Sequence, residues 1–330
     1  MFKKILFATD FSPHAEVAKQ VAQCLAEIEG AELWAMTVLE PVEEPLDLAD
    51  EPPDIPAWKW EKKVARMQDR LKIEKRRKLD QDVADLRAEG LTVHDVVREG
   101  DPDKQILAVA REIGADVIVM GSHSRRNLWD VVVGNIAQRV AEKAPCPVAL
   151  VSHRPPHPGP DAPKHYLLAT DFSPHAQLAE KIAIALAKQR GEDKKLWVIT
   201  TIEPGEELPM PPGFVVNAPD DEVVELESEL RQDVENEVDR RLNAIIADAR
   251  AQGVTVEKVV RHGDPAKEIL KAAIDIEADM IVIGSHSRKS LKEKLLGGVP
   301  EKVAKQAPCP VLIISHLPGQ NSNITKEKHL

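Results

Sequence analysis

Short apolar runs alternate with segments of helical period along both halves of the chain. In the first half Ile5 to Thr9, Leu33 to Leu39, Val93 to Val97, Val117 to Met120 and Val148 to Val151 are strand-sized and almost continuously apolar. That is the pattern of strands covered on both faces, as in a parallel sheet. Between them Ser12-Pro13 has the order of an N-cap and a first helical residue, and Val17, Val21 and Leu25 mark one face of a helix that Gly30 stops. Trp60, Val64, Met67 and Leu71 step by four and three along a long second helix ending near Gly90. Asp101-Pro102 caps a third, running to about Ile113, and a fourth begins near Gly134-Asn135. Strict alternation of strand and helix predicts an open, doubly wound α/β domain with five parallel strands.

The second half repeats the first. Ala8-Thr9-Asp10-Phe11-Ser12-Pro13-His14-Ala15 returns unchanged as Ala169-Thr170-Asp171-Phe172-Ser173-Pro174-His175-Ala176, at an offset of 161. At a steady offset of 163, Leu33-Trp34 matches Leu196-Trp197, Gly100-Asp101-Pro102 matches Gly263-Asp264-Pro265, and Gly121-Ser122-His123-Ser124-Arg125 matches Gly284-Ser285-His286-Ser287-Arg288. Ala144-Pro145-Cys146-Pro147-Val148 likewise matches Ala307-Pro308-Cys309-Pro310-Val311. These anchors describe a domain duplicated head to tail. The expected division is a first domain over 1–152, a proline-rich linker over 153–164, a second domain over 165–318 and a polar tail over 319–330.

Composition narrows the function classes. At 330 residues and 43% apolar the chain can bury two cores, and its net charge of −11 argues against nucleic acid or an anionic membrane as a general partner. The apolar runs are too short to span a bilayer and the first residues make no secretory segment, so a soluble cytoplasmic protein is expected. Cys24, Cys146 and Cys309 form neither a CxxC pair nor a zinc-spaced cluster, which fits buried thiols in a reducing compartment.

In a doubly wound sheet ligands bind beyond the carboxyl ends of the strands, where the strand order reverses. Three segments converge there: Thr9 and Asp10 after the first strand, Val38 at the end of the second, and the loop from Gly121 through His123 and Ser124 to Gly134 and Asn135. A glycine loop feeding a helix N-terminus can aim backbone N–H groups at phosphate. The same glycines can equally serve turns alone. Asp10, His14 and His123, with His175 and His286 in the repeat, could in principle hold a metal, but an exposed His14 on the first helical turn and a loop His123 is the preferred reading. No metal site and no catalytic residue are assigned. Ser12 is occupied as an N-cap, and there is neither a GxSxG elbow nor a GxxxxGK[ST] loop.

Taken together, Thr-Asp-Phe-Ser after the first strand, the Gly-Asp-Pro helix start, Gly-Ser-His after the fourth strand, Gly134 and the closing Pro-Cys-Pro-Val strand resemble the universal stress protein family. The resemblance covers nearly all the chain, twice. It implies two tandem nucleotide-binding α-hydrolase-like domains that pair through their last strands, a cytoplasmic stress-response role and, in one branch, bound ATP. That branch is marked by a glycine, two spacers, a glycine, nine spacers, then Gly with Ser or Thr. The first copy has Gly121, Ser124, Gly134 and Asn135, with Asn127 where a further glycine often stands. The second has Gly284, Ser287, Gly297 and Gly298, with Ser290, and Pro300 in the first helical turn, where it removes a phosphate donor.

The resemblance therefore implies ATP or AMP, with Mg as an accompanying ion, held weakly in the first copy and a degenerate site in the second. Asp10 would face adenosine or a phosphate-bound metal, the Val38 backbone would read adenine, Gly121 would approach the ribose, and Gly134 and Asn135 would hold phosphates. Two alternatives stay open: a partner-binding protein with both sites inactive, and a slow ATPase.

Charge adds an expectation about assembly. Lys59 to Lys78 holds ten basic and three acidic residues, a net of +7, whereas the equivalent Asp220 to Asp239 holds ten acids and only Arg231, a net of −9. A salt-sensitive homodimer, the basic helix of one chain facing the acidic helix of another, is expected alongside an unidentified protein partner.

Overall fold

The computed structural model describes residues 2–40, 57–122, 135–151, 163–188, 194–203, 220–285 and 298–314. The chain divides into two compact units, one built on Met1–His153 and the other on Arg154–Leu317. Most of the expected linker and the whole tail lie outside the described residues.

The first unit runs β1 (Lys4–Ala8), α1 (Pro13–Glu29), β2 (Glu32–Leu39), α2 (Ala57–Ala88), β3 (Val93–Glu99), α3 (Pro102–Ile113), β4 (Val117–Gly121), α4 (Asn135–Lys143) and β5 (Val148–Val151). Its strands lie in the order 3-2-1-4-5 and pair in parallel. The second unit repeats this with β6 (His165–Ala169), α5 (Pro174–Ala187), β7 (Lys195–Ile202), α6 (Asp220–Ala251), β8 (Thr255–His262), α7 (Pro265–Asp275), β9 (Met280–Gly284), α8 (Gly298–Gln306) and β10 (Val311–Ile314). Its order is 8-7-6-9-10, again parallel. The central strands carry the core of each unit: Ile5, Leu6 and Phe7 on β1, and Tyr166 and Leu167 on β6, are fully buried.

Ser12 caps α1, its Oγ accepting from the Ala15 N–H at 3.2 Å, and Gly30 closes the helix at φ +59°, where a side chain would be strained. The buried face differs from the expected one. Ala15, Ala18, Ala22, Leu25 and Ala26 face the sheet, while Val17 and Val21 are only half-buried. The turn around Gly121 comes close against the start of this helix, and alanine methyls let its backbone approach.

The third strand runs two residues further than expected, to Glu99, and is half-exposed rather than sandwiched. It is the sheet edge, so Asp95 and Arg98 reach Arg76 of α2 and Glu112 of α3, and the His94 ring stacks on Trp34 of β2. At α3, Asp101 is the N-cap by backbone position, yet its carboxylate turns to Lys104 and makes no cap hydrogen bond. Its counterpart Asp264 does cap, accepting from the Lys267 N–H at 3.0 Å.

The long second helix departs most from expectation. Leu79, Val83 and Leu86 are buried, whereas Met67 is 54% and Leu71 44% exposed. The sheet explains why. Arg87 donates to the Val93 carbonyl at the start of β3 at 2.7 Å, and Lys72 pairs with Glu99 at its end at 2.9 Å. Residues 72–87 therefore span the strand, and the 57–71 segment of α2 projects past the carboxyl edge of the sheet by roughly 20 Å.

All three cysteines are buried thiols outside any disulfide. Burial pushes the Cys146 thiol up to about 12, and raises Cys309 as well. They behave as core residues, not as reactive thiols.

Candidate functional site

The strand order of the first unit reverses between β1 and β4, so a crevice opens beyond their carboxyl ends. Ala8 is in register with Met120 on one side and Met36 on the other, which places Thr9 and Asp10 between Gly121 and the Thr37-Val38 end of β2. Thr9 is stitched in place: its N–H donates to the Met36 carbonyl at 2.9 Å, and its carbonyl accepts from Thr37 Oγ1 at 2.9 Å.

The turn that follows is held by its own side chains. Thr9 Oγ1 accepts from the Phe11 N–H at 3.0 Å, and Asp10 Oδ1 accepts from the Ser12 N–H at 2.9 Å. These two bonds hold Phe11 in the left-handed region at φ 60°, which a phenylalanine adopts only when the surroundings fix it. The second unit builds the same turn, with Phe172 at φ 60° and bonds of 3.0 Å from Phe172 N–H to Thr170 and from Ser173 N–H to Asp171. Asp10→Asn is expected to keep this turn and change stability by less than about 0.5 kcal/mol, since the amide oxygen still accepts. Asp10→Ala should cost about 1 kcal/mol in urea denaturation. An asparagine variant as unstable as the alanine one would mean that the negative charge, not the acceptor, is what the site requires.

Gly121 meets a steric demand of the protein itself. A Cβ there would stand 2.9 Å from the His14 Cβ and 3.2 Å from the Ala15 nitrogen, so the first turn of α1 rests directly on it. His14 is consequently buried, at 9% exposure, and not on an exposed turn as the sequence suggested. Ser122 is fully buried, its N–H donating to the Val151 carbonyl at 2.8 Å. Asn135 is the first residue of α4 and is exposed. His123, Ser124, Asn127 and Gly134 lie outside the described residues, as do Ser287 and Ser290. Among the described residues no three His, Cys, Asp or Glu side chains are grouped to hold a metal.

Two residues at the crevice escaped the sequence reading. Lys75 Nζ donates to the Val38 carbonyl at 3.0 Å, and Lys78 Nζ stands 5.9 Å from the centre of the Phe11 ring. Both lie beside buried Leu79 on the sheet-facing side of α2. The signal was present in the basic run, but only the helix register shows which of its members lean over the strand ends.

The second crevice has a different character. Val238 stands where the first unit has Lys75, although Arg241 keeps the place of Lys78, 5.5 Å from the Phe172 ring. Glu180, equivalent to Lys19, accepts from Thr170 Oγ1 at 2.7 Å. Burial raises its carboxyl pKa, the Thr170 hydrogen bond opposes this and nearby Asp171 reinforces it. Lys19 instead donates to Asp82 at 2.8 Å and pairs with Glu16. Pro300 is buried in the first turn of α8, where it offers no N–H.

No described helix is long and apolar enough to cross a membrane. The chain is 26% identical over 324 residues to a universal stress protein of Mycolicibacterium smegmatis, covering 94% of this chain and 96% of that one. A universal stress protein of Thermus aquaticus is 34% identical over 153 residues, 46% of this chain and 98% of its own length. A solved universal stress protein from Archaeoglobus fulgidus shares the fold, with a TM-score of 0.64 at 19% identity over 95% of this chain and 96% of that one. The family model described as the universal stress protein family matches residues 1–152 and again 163–315. With both halves matched, the chain belongs to the universal stress protein family as a tandem member.

Proposed function

We propose that this protein is a cytoplasmic stress-response binding module that holds an adenine nucleotide, ATP or AMP, weakly in its first unit. It has no committed catalytic step, and its second unit is a structural partner with a degenerate site. The observation that carries this reading is the contrast in charge between the two crevices. Lys75 leans over the first one beside the Thr9-Asp10 turn, where it would favour an anion, and uncharged Val238 takes its place in the second, while a cation, Lys78 or Arg241, stands over both turns. A half-buried Glu180 carboxyl stands at the second, against an anion, and Pro300 withholds a donor. Thr9, Asp10, Val38 and Gly121 in the strand ends, His123 and Ser124 in the loop, and Gly134 and Asn135 at the helix start would form the site, with Mg accompanying the phosphates.

One observation favours a second reading, a partner-binding protein with both sites inactive: Lys75 already occupies the Val38 carbonyl that an adenine amino group would use. Equilibrium dialysis of the full chain with ATP and AMP, with product analysis, separates the two. Saturable uptake of one nucleotide per chain, without turnover, is expected. Ser124→Gly with Asn127→Gly should tighten it by about tenfold or more if those positions need left-handed backbone. No uptake at millimolar nucleotide would establish the inactive reading, uptake confined to residues 165–318 would overturn the asymmetry, and released ADP would make the protein an ATPase.

A further inference from the structure

On α6, Glu235 faces His262 at the end of β8, so residues 220–234 project as 57–71 of α2 do, and the two projecting segments carry opposite charge in the same pattern. On α2, Lys62, Arg66 and Arg70 recur every fourth residue, all exposed and, among the described residues, without an ion pair. The equivalent positions of α6 are Glu225, Glu229 and Asp233, of which Glu229 and Asp233 are described and exposed. Each ladder of like charges at i, i+4 and i+8 destabilises its own helix. Beside the basic ladder lies an apolar stripe with Met67 54% and Leu71 44% exposed. Half-buried Val234 holds the position of Leu71 on α6.

Lower on the same helices the charges are already satisfied within each unit. Arg76 pairs with Asp95 at 2.8 Å in the first unit, and Asp239 with Lys258 at 2.9 Å in the second. Lys72 pairs with Glu99, and Glu235 faces His262 at 3.9 Å. Polarity is inverted at both equivalent positions. Each edge strand therefore carries the sign opposite to its own helix, and among the described residues Lys62, Arg66 and Arg70 on α2 and Glu229 and Asp233 on α6 make no ion pair.

From this we propose that the projecting segment of α2 docks on the projecting segment of α6 from a second copy of the chain. The basic ladder meets the acidic one, and the Met67-Leu71 stripe is covered at the same contact. Because every chain supplies one helix of each sign, a twofold pair of chains makes the contact twice. Relief of two like-charge ladders, burial of exposed apolar side chains and complementary charge act together, where isolated surface ion pairs contribute little.

Sedimentation of the full chain tests this without any substitution. A dimer at low salt that weakens by about tenfold or more in high salt is expected, since exposed charges are screened there. Arg66→Glu with Arg70→Glu should leave a folded monomer, and so should Glu229→Arg with Asp233→Arg. All four substitutions in one chain exchange the ladders and should restore the dimer. A monomer at every salt concentration, a dimer indifferent to either charge reversal, or no recovery in the fourfold variant would overturn the proposal. So would a wild-type monomer captured by phosphatidylserine vesicles and released by Arg66→Glu with Arg70→Glu, which would make the basic face a lipid-binding one.

Discussion

Gly121→Ala is expected to destabilise the first unit by about 2–3 kcal/mol, because the added methyl has nowhere to go. Its nearest neighbours are the His14 Cβ at 2.9 Å, the Ala15 nitrogen and the His14 carbonyl carbon, the latter two at 3.2 Å. Two of the three are backbone, so no rotamer change relieves the contact, and α1 must lift from the end of β4. Urea denaturation should show the midpoint of the first unit falling while the slope is unchanged. An unaltered midpoint would show that the α1 turn yields freely, and the glycine would then need another explanation. This packing role matters for function, since a glycine ending β4 is required here before any ligand is considered.

The second large effect is expected in α2. Leu79→Ala should cost about 3 kcal/mol, the range for a leucine buried without exposure, whereas Leu71→Ala, compared in high salt where the chains are separate, should stay within about 0.5 kcal/mol. Two chemically identical substitutions eight residues apart in one helix thus separate its anchored half from its projecting half. Paired urea curves decide the matter. Equal losses would mean that the projecting segment is covered within the unit, and would remove the basis for docking by a second chain.

The sheet was legible in the sequence because its strands are apolar on both faces and because the Thr-Asp-Phe-Ser turn is written twice in identical residues. The edge strand was less so: His94, Asp95 and Arg98 interrupt the run, and edge position becomes evident only once the strand order is known. Periodicity in α2 located an apolar stripe at Trp60, Val64, Met67 and Leu71, but a stripe says which side chains cluster and not what covers them. The sheet is held instead by Leu79, Val83 and Leu86, on a face rotated from that stripe. In α1 the larger valines drew attention away from the alanines that actually meet the sheet. Of the candidate site, Thr9, Asp10 and Val38 fall together as their strand ends imply. The bond from Lys75 to the Val38 carbonyl joins residues 37 positions apart, and no local pattern announces it.

The inverted ion pairs bear on how a duplicated chain avoids assembling its halves wrongly while it folds. Neighbouring domains of like sequence are prone to exchange equivalent elements, and α2 and α6 are both 32 residues long. Were α6 to settle on the edge of the first sheet, Asp239 would face Asp95 and Glu235 would face Glu99. Were α2 to settle on the second, Arg76 would face Lys258. Each of these wrong combinations sets like charge against like, whereas the native Arg76–Asp95, Lys72–Glu99 and Asp239–Lys258 pairs set opposite charges together. The two halves of the chain thus carry a matching code between helix and edge strand that favours native partners over their near-identical counterparts.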